Sequence, residues 1–286
     1  RYLASITALC IAAVCVASLL RSPELRQELI DNYHKAFDRL TSDSSKLCIE
    51  RQAASFSAME TMLGEALVGQ VEAHRTILRW FRQKNGVPCR FLVLHGSTGT
   101  GKSLAARLIA HHYPWPEKVF HVMWREQRSP DAQYATFEST FAEMRQKVLW
   151  HGICGDYLLV VDHLGSGDVQ LLADLSEQLR NVAKRLQIRL NVLLAFRGSQ
   201  PANQPVEGRS LEQVIPNTTI VRFRALGNEQ LNECIRLEGS RLGLAEQKMK
   251  EAVTTVAKQI DVIRHGCKPV RAKLNLALPS LADAVT

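Results

Sequence analysis

The chain has 286 residues, enough for one large domain or two modest ones, and its 46% apolar and 22% charged residues are ordinary for a globular protein. The formal net charge is +8, but the Lys and Arg are scattered rather than run together. That pattern argues against nucleic acid as a partner, since a phosphate backbone calls for clustered cations.

The first segment, residues 1–21, stands apart. Leu3–Leu20, LASITALCIAAVCVASLL, is 18 residues without a charge, bracketed by Arg1 and Arg21. As a helix rising about 1.5 Å per residue, it roughly spans a bilayer core. Two readings compete: a membrane anchor, or a signal peptide cut near Val16-Ala17-Ser18. The run exceeds the usual core of about 7–15 residues in a signal peptide, which favours the anchor. Either reading sends the rest of the chain into the secretory pathway.

Residues 22–60 are predicted to be a helical N-terminal region. Pro23–Leu40 has apolar residues at helical spacing (Leu25, Leu29, Ile30, Tyr33, Phe37, Leu40), and the turn-rich Thr41–Ser45 follows it. Helical pattern resumes over Ala53–Arg82, with breaks predicted near Gly64 and Gly69. After Asn85-Gly86 the pattern alternates between strands and helices. Strands are predicted at Phe91–His95, Lys118–Trp124, Tyr157–Asp162, Leu190–Phe196 and Thr219–Leu226. Helices are predicted at Lys102–His112, Tyr134–Leu149 and Val169–Leu186. Such alternation predicts an α/β domain over 61–226, with a parallel sheet covered on both faces. From Asn228 onward the pattern is helical throughout, so 227–286 is predicted as a small helical subdomain.

Within this frame, Gly96-Ser97-Thr98-Gly99-Thr100-Gly101-Lys102-Ser103 fits G-x-x-x-x-G-K-[ST], follows a strand and opens a helix. The glycines let backbone N–H groups curl around phosphate oxygens at the positive end of a helix. Lys102 supplies a cation for the outer phosphates, and the Ser103 hydroxyl is placed to ligate Mg²⁺. The expected set for ATP is Gly96 through Ser103, the following Leu104, and a cation from further along the chain. The apolar strand Tyr157–Asp162 then brings Asp162 to the Mg²⁺. His111-His112 has no ligand set nearby and reads as a helix end, where His suits the dipole.

Seven cysteines are present. Cys10 and Cys15 sit in the apolar run and read as packing residues. Cys48, Cys89, Cys154, Cys234 and Cys267 show no CxxC pair and no zinc-like spacing, which argues against a metal site. In an oxidising lumen some pair and one is left over; in a cytosolic chain buried thiols are the alternative.

From Leu67 to about Leu276 the sequence resembles the torsins, a branch of the AAA+ ATPases related to the Clp chaperones. LVGQ (Leu67–Gln70) is similar to the entry motif, HGSTGTGK to the phosphate loop, and ECIRLE (Glu233–Glu238) to the lid helix. HGCKPV (His265–Val270) is the most diagnostic piece, because Gly-Cys-Lys is the torsin form of the sensor-2 motif. The resemblance implies an AAA+ P-loop sheet with a C-terminal helical lid and a chaperone-like ATP-binding protein. Its expected place is the endoplasmic reticulum lumen and nuclear envelope, associated with membrane through the N-terminal segment. It implies that Lys268 reaches the terminal phosphates from the lid, with Lys102 and Asp162 as catalytic partners and Ser103 and Asp162 at the Mg²⁺. It implies a Cys234–Cys267 disulfide coupling lid to nucleotide site, open to redox control, and a second pair, Cys48–Cys154, leaving Cys89 free. It also implies a homo- or hetero-oligomer, and a membrane-anchored activator that supplies an arginine finger in trans.

Three departures qualify this. Ser103 stands where torsins usually carry Asn. Their Asp-Glu is Asp162-His163 here, so the carboxylate that orients the attacking water is missing, a loss worth about 10²–10⁴ in rate. Their sensor-1 Asn is replaced in AFRGSQ, with Arg197 near its place. ATP binding is expected to survive these changes better than hydrolysis. Three functions therefore stay open: a torsin-like ATPase of weak or partner-dependent turnover, an ATP-gated binding or scaffold protein without turnover, and a small-molecule kinase. The lid-like C-terminal region and the lack of an acceptor motif argue against the kinase.

Overall fold

Apolar runs that face two ways decide the architecture. In the strand Cys89–Gly96 (β1), Phe91 and Val93 join one apolar cluster while Leu92 and Leu94 join another, so both faces are buried. The same division holds for Tyr157–Leu164 (β3), where Leu159 and Val161 face one way and Leu158 and Val160 the other. Strands apolar on both faces need helices on both faces, and that is the parallel α/β solution.

The computed structural model describes residues 48–83, 86–124, 130–150, 155–165, 168–197 and 214–283. The chain divides into Arg1–Gln52 and Ala53–Thr286. The apolar run, the helix predicted at Pro23–Leu40 and Cys154 lie outside the described residues. Among the described residues no helix is long and apolar enough to cross a membrane.

In Ala53–Thr286 the sheet is entirely parallel. Besides β1 and β3 it contains Val119–Met123 (β2), Leu190–Arg197 (β4) and Thr218–Arg222 (β5), in the order β2-β3-β4-β1-β5. One face carries the 53–66 part of the helix over 48–66 (α1), Val71–Arg82 (α2) and Lys102–His111 (α3), packed through Met59, Leu63, Ile77, Phe81, Ala105 and Ile109. The other face carries Pro130–Trp150 (α4) and Val169–Leu186 (α5), through Phe137, Phe141, Met144, Leu172 and Leu179. The paired small residues Ala105 and Ala106 let α3 lie close on the sheet, which brings its N-terminus to the strand ends.

The N-terminal edges of β1, β3 and β4 are pinned by one polar knot. Arg90 donates to Asn191 Oδ1 through Nε (3.1 Å) and Nη2 (2.8 Å), while Asn191 Nδ2 donates to the Tyr113 hydroxyl at 3.1 Å. Burial and the neighbouring Asp156 push the Tyr113 phenol well above its usual range, so it stays protonated and donates to the Asp156 carbonyl at 3.1 Å.

Four helices close the chain: Asn228–Arg241 (α6), Glu246–Ala257 (α7), Val262–His265 (α8) and Val270–Asp283 (α9). They bury a core of their own from Leu231, Ile235, Ala252, Val256, Val262 and Leu274. A disulfide joins Cys234 on α6 to Cys267 between α8 and α9. Cys48 is disulfide-bonded, and Cys89 is free and buried.

Four expectations shift. Gly64 does not break α1, because it packs against His74 and remains helical; the break comes at Gly69, where φ is +68°. Helix α4 starts at Pro130, several residues earlier than predicted, since proline suits a first helical turn. Strand β3 runs two residues beyond Asp162, through a bulge described below. Strand β5 ends at Arg222 rather than Leu226. Phe223 N still donates to His95 O at 2.7 Å, but the next residue pairs with a side chain. The Gln70 amide donates to Arg224 O at 2.8 Å and accepts from Arg224 N at 3.0 Å, standing in for a neighbouring strand.

Candidate nucleotide-binding site

The loop Gly96–Gly101 leaves β1 at the C-terminal edge of the sheet, where ligands of parallel α/β proteins bind. Gly101 caps α3 in the left-handed conformation, at φ +105°. Thr100 is buried and its Oγ1 donates to Ser97 O at 2.9 Å, fixing the curl of the loop. Ser97 and Thr98 are half-buried, and Leu104, one residue into the helix after Ser103, packs partly against the core.

Lys102 is buried and its Nζ donates to Ser97 O at 2.5 Å. Burial, assisted by the Arg197 charge and opposed by Asp162, lowers its pKa to about 8. A phosphate ligand wants the ammonium form. Above pH 8 the free lysine is increasingly neutral, so binding must take up a proton and affinity falls as pH rises. The expected loss is up to about tenfold per pH unit well above 8, with a plateau below. ATP affinity measured from pH 6.5 to 9.5 checks this; a flat profile contradicts it.

Ser103 Oγ donates to Asp162 Oδ1 at 3.1 Å, so the two Mg²⁺ candidates meet although they lie on α3 and β3. Among the described residues no group of three or more His, Cys, Asp or Glu could hold a metal. A hydroxyl and one carboxylate nevertheless fit Mg²⁺, which takes few protein ligands and completes its shell with water and phosphate oxygens. The residues present fit Mg²⁺ with a nucleotide.

Directly after Asp162 the β3–β4 ladder loses register, between Val161 and Leu164. His163 occupies the bulge at φ +70°, with its side chain 39% exposed. Its backbone N donates to Asp162 Oδ1 at 2.7 Å, and its ring Nε2 stands 3.9 Å from Asp162 Oδ2. His163 thus steadies Asp162 through its backbone, while its ring faces solvent in part.

The lid segment Gly266-Cys267-Lys268 reaches the phosphate loop itself. Cys267 N donates to Gly99 O at 3.3 Å. A Cβ on Gly99 would lie 1.9 Å from His265 O, and one on Gly266 would lie 2.2 Å from Gly99 O. Only two facing glycines allow this approach. Lys268 follows and is exposed. Three features of the site escaped sequence reasoning: this glycine contact, the Gln70–Arg224 pairing and the placement of His121. His121 lies on β2, within electrostatic reach of Asp162. Its one signal was that it alternates with Phe120 and Val122, which face the opposite cluster.

Solved structures share this fold. A closed-state cryoEM reconstruction of Hsp104 with ATPγS and FITC casein superposes with a TM-score of 0.55 at 15% identity, covering 82% of this chain and 48% of that one. A structure of Drosophila ORC bound to DNA superposes with a TM-score of 0.53 at 12% identity, covering 80% of this chain and 66% of that one.

The fold is that of the AAA+ ATPases.

At these identities the likeness concerns the AAA+ fold alone, and this chain spans about half the length of the Hsp104 chain. No protein-family model matches the sequence, and no curated protein matches it.

Proposed function

We propose that this chain is a torsin-like, chaperone-like AAA+ protein that binds ATP with Mg²⁺ and hydrolyses it weakly, or only when a partner assists. The observation that carries this reading is the meeting of Lys102, Ser103 and Asp162 at a phosphate loop on which the lid rests through Gly266. Gly-Cys-Lys against the loop, with Cys267 disulfide-bonded to the lid helix, supports the torsin branch in particular. On that reading Lys268 serves the terminal phosphates, the protein resides in the endoplasmic reticulum lumen and nuclear envelope, and Leu3–Leu20 associates it with membrane. The partner is a membrane-anchored activator that lends an arginine finger in trans, within a homo- or hetero-oligomer.

A second reading is favoured by His163, which puts an imidazole rather than a carboxylate beside Asp162. On that reading the protein does not hydrolyse ATP. It is an ATP-gated binding or scaffold protein, in which the nucleotide holds lid and sheet domain together.

Both readings require ATP at this loop, and calorimetric titration of the full chain in detergent with Mg·ATP tests it. Lys102→Ala is expected to weaken binding by about a hundredfold, the range for a charge-assisted contact to an anion. Equal affinity in parent and variant contradicts a nucleotide site at Gly96–Ser103.

A further inference from the structure

Asn217-Thr218-Thr219 fits N-x-[ST], and no other run in the 286 residues does. The fold leaves its asparagine on the surface. Ahead of it Ile215 is buried, and the Pro216 carbonyl accepts from Arg180 Nη2 of α5 at 2.6 Å, which ties the turn to the sheet domain. Asn217 follows at φ +60° and is exposed, and among the described residues its side-chain amide has no hydrogen-bond partner. Strand β5 starts one residue later, at Thr218, at the edge of the sheet, where β1 is its one partner among the described strands. Asn217 therefore stands outside the ladder. Asparagine tolerates the left-handed region, so a turn of this kind accounts for it without any further role. The turn does not account for the hydroxyl two residues on. Thr219 is half-buried in β5 opposite Leu92, where valine would suit the strand as well.

We propose that Asn217 is a glycosylation site whose side-chain Nδ2 carries an oligosaccharide. This rests on the lumenal reading above, because the sugar donor is presented in that compartment. The donor is a polyprenyl-diphosphate oligosaccharide, and the catalyst is a lumenal transferase that recognises the hydroxyl at 219. Nδ2 bonds to the anomeric carbon of the first sugar, and the bond from that carbon to the diphosphate oxygen breaks. Nδ2 gives up one proton, and the polyprenyl diphosphate leaves. Asn217 and Thr219 are read together, and Thr219 later joins the ladder, so transfer precedes the seating of β5 on β1. Seating does not bury the product, because the exposed turn gives a bulky, hydrated glycan room to project into solvent. Thr218 lies opposite Phe91, which sets the glycan roughly 15–20 Å back from Gly96 along β1. The glycan and a nucleotide at the phosphate loop therefore do not compete.

The test is synthesis of the full chain, given an initiator methionine, in the presence of sealed vesicles of endoplasmic reticulum. Each product is treated with external protease and then with peptide N-glycosidase. The parent is expected to be protected from protease and to migrate one step more slowly than the unmodified chain. Glycosidase should reverse the step and leave an aspartate at position 217, read by mass spectrometry. Asn217→Asp and Thr219→Val should be protected and lack the step, while Thr219→Ser, which keeps a hydroxyl, should retain it. A parent that is protected but shows no step overturns the proposal and leaves the lumenal reading standing. A step that persists in Thr219→Val overturns it too, since the sugar then lies elsewhere. A parent open to protease and without the step removes the lumenal reading along with the proposal. If Asn217→Asp disturbs the turn, the Thr219 pair decides alone: equal behaviour of Thr219→Ser and Thr219→Val overturns the proposal.

Discussion

Replacing His163 by glutamate is expected to raise ATP turnover by about 10²–10⁴-fold over the parent, the usual contribution of a positioned general base. The backbone at 163 is already held beside the Mg²⁺ candidate, because its N–H donates to Asp162 Oδ1 at 2.7 Å. A carboxylate there starts from a fixed point at the end of β3, next to the space where the terminal phosphate is expected. Two effects work against the gain. Position 163 sits at φ +70°, which costs a non-glycine residue about 1–2 kcal/mol, although His already bears that cost. The new carboxylate also faces Asp162 at close range, and only a bound cation offsets their repulsion. The gain should therefore need Mg²⁺, and steady-state phosphate release with and without Mg²⁺ measures it. If the parent already hydrolyses ATP and Lys102→Ala abolishes it, a group other than a carboxylate at 163 acts as base.

Substituting either glycine of the lid contact is expected to be nearly as damaging. A Cβ on Gly99 would stand 1.9 Å from His265 O, and one on Gly266 2.2 Å from Gly99 O, separations that real Cβ atoms essentially never show. Both obstacles are backbone, so relief requires loop and lid to part. Parting them breaks the Cys267 N to Gly99 O bond and lifts Lys268 from its place near the loop. Gly99→Ala and Gly266→Ala should each weaken ATP binding more than tenfold, with a cost in the several-kcal/mol class of a buried steric clash. Gly243→Ala is the control. Gly243 also has a positive φ, +74°, yet nothing lies within 4 Å of its missing Cβ, so it bears the backbone strain alone. It should lower thermal stability by about 1 kcal/mol and leave ATP affinity unchanged. Equal loss of affinity in all three variants contradicts the contact as described.

The sheet was legible because its strands are apolar on both faces and punctuated by turn residues, a local signal. The loop was legible for a similar reason: Gly96–Ser103 is one contiguous stretch whose chemistry is complete within eight residues. What the sequence did not disclose is contact between distant segments. Nothing local in Gly99 or Gly266 announces that each leaves room for the other. The side chain of Gln70 replaces a strand 154 residues away, which is why β5 stopped earlier than its apolar pattern suggested. The bulge at His163 was hidden for a different reason. The acidic and imidazole side chains of Asp162 and His163 read as the end of the strand, and only the renewed pairing of Leu164 with Phe196, after a loss of register, shows that the strand goes on with a bulge at 163. Arg197 was suspected only from a resemblance, whereas the β1–β4 register sets it beside Gly96.

The protein is expected to hold ATP at Gly96–Ser103 without readily cleaving it. The most direct measurement loads the full chain with ATP labelled in the terminal phosphate, removes free nucleotide, quenches with acid after set times, and identifies what remains bound. Intact ATP is expected after many minutes in the parent and none in Lys102→Ala. Bound ADP with released phosphate, appearing at the rate of an ordinary ATPase, would contradict it.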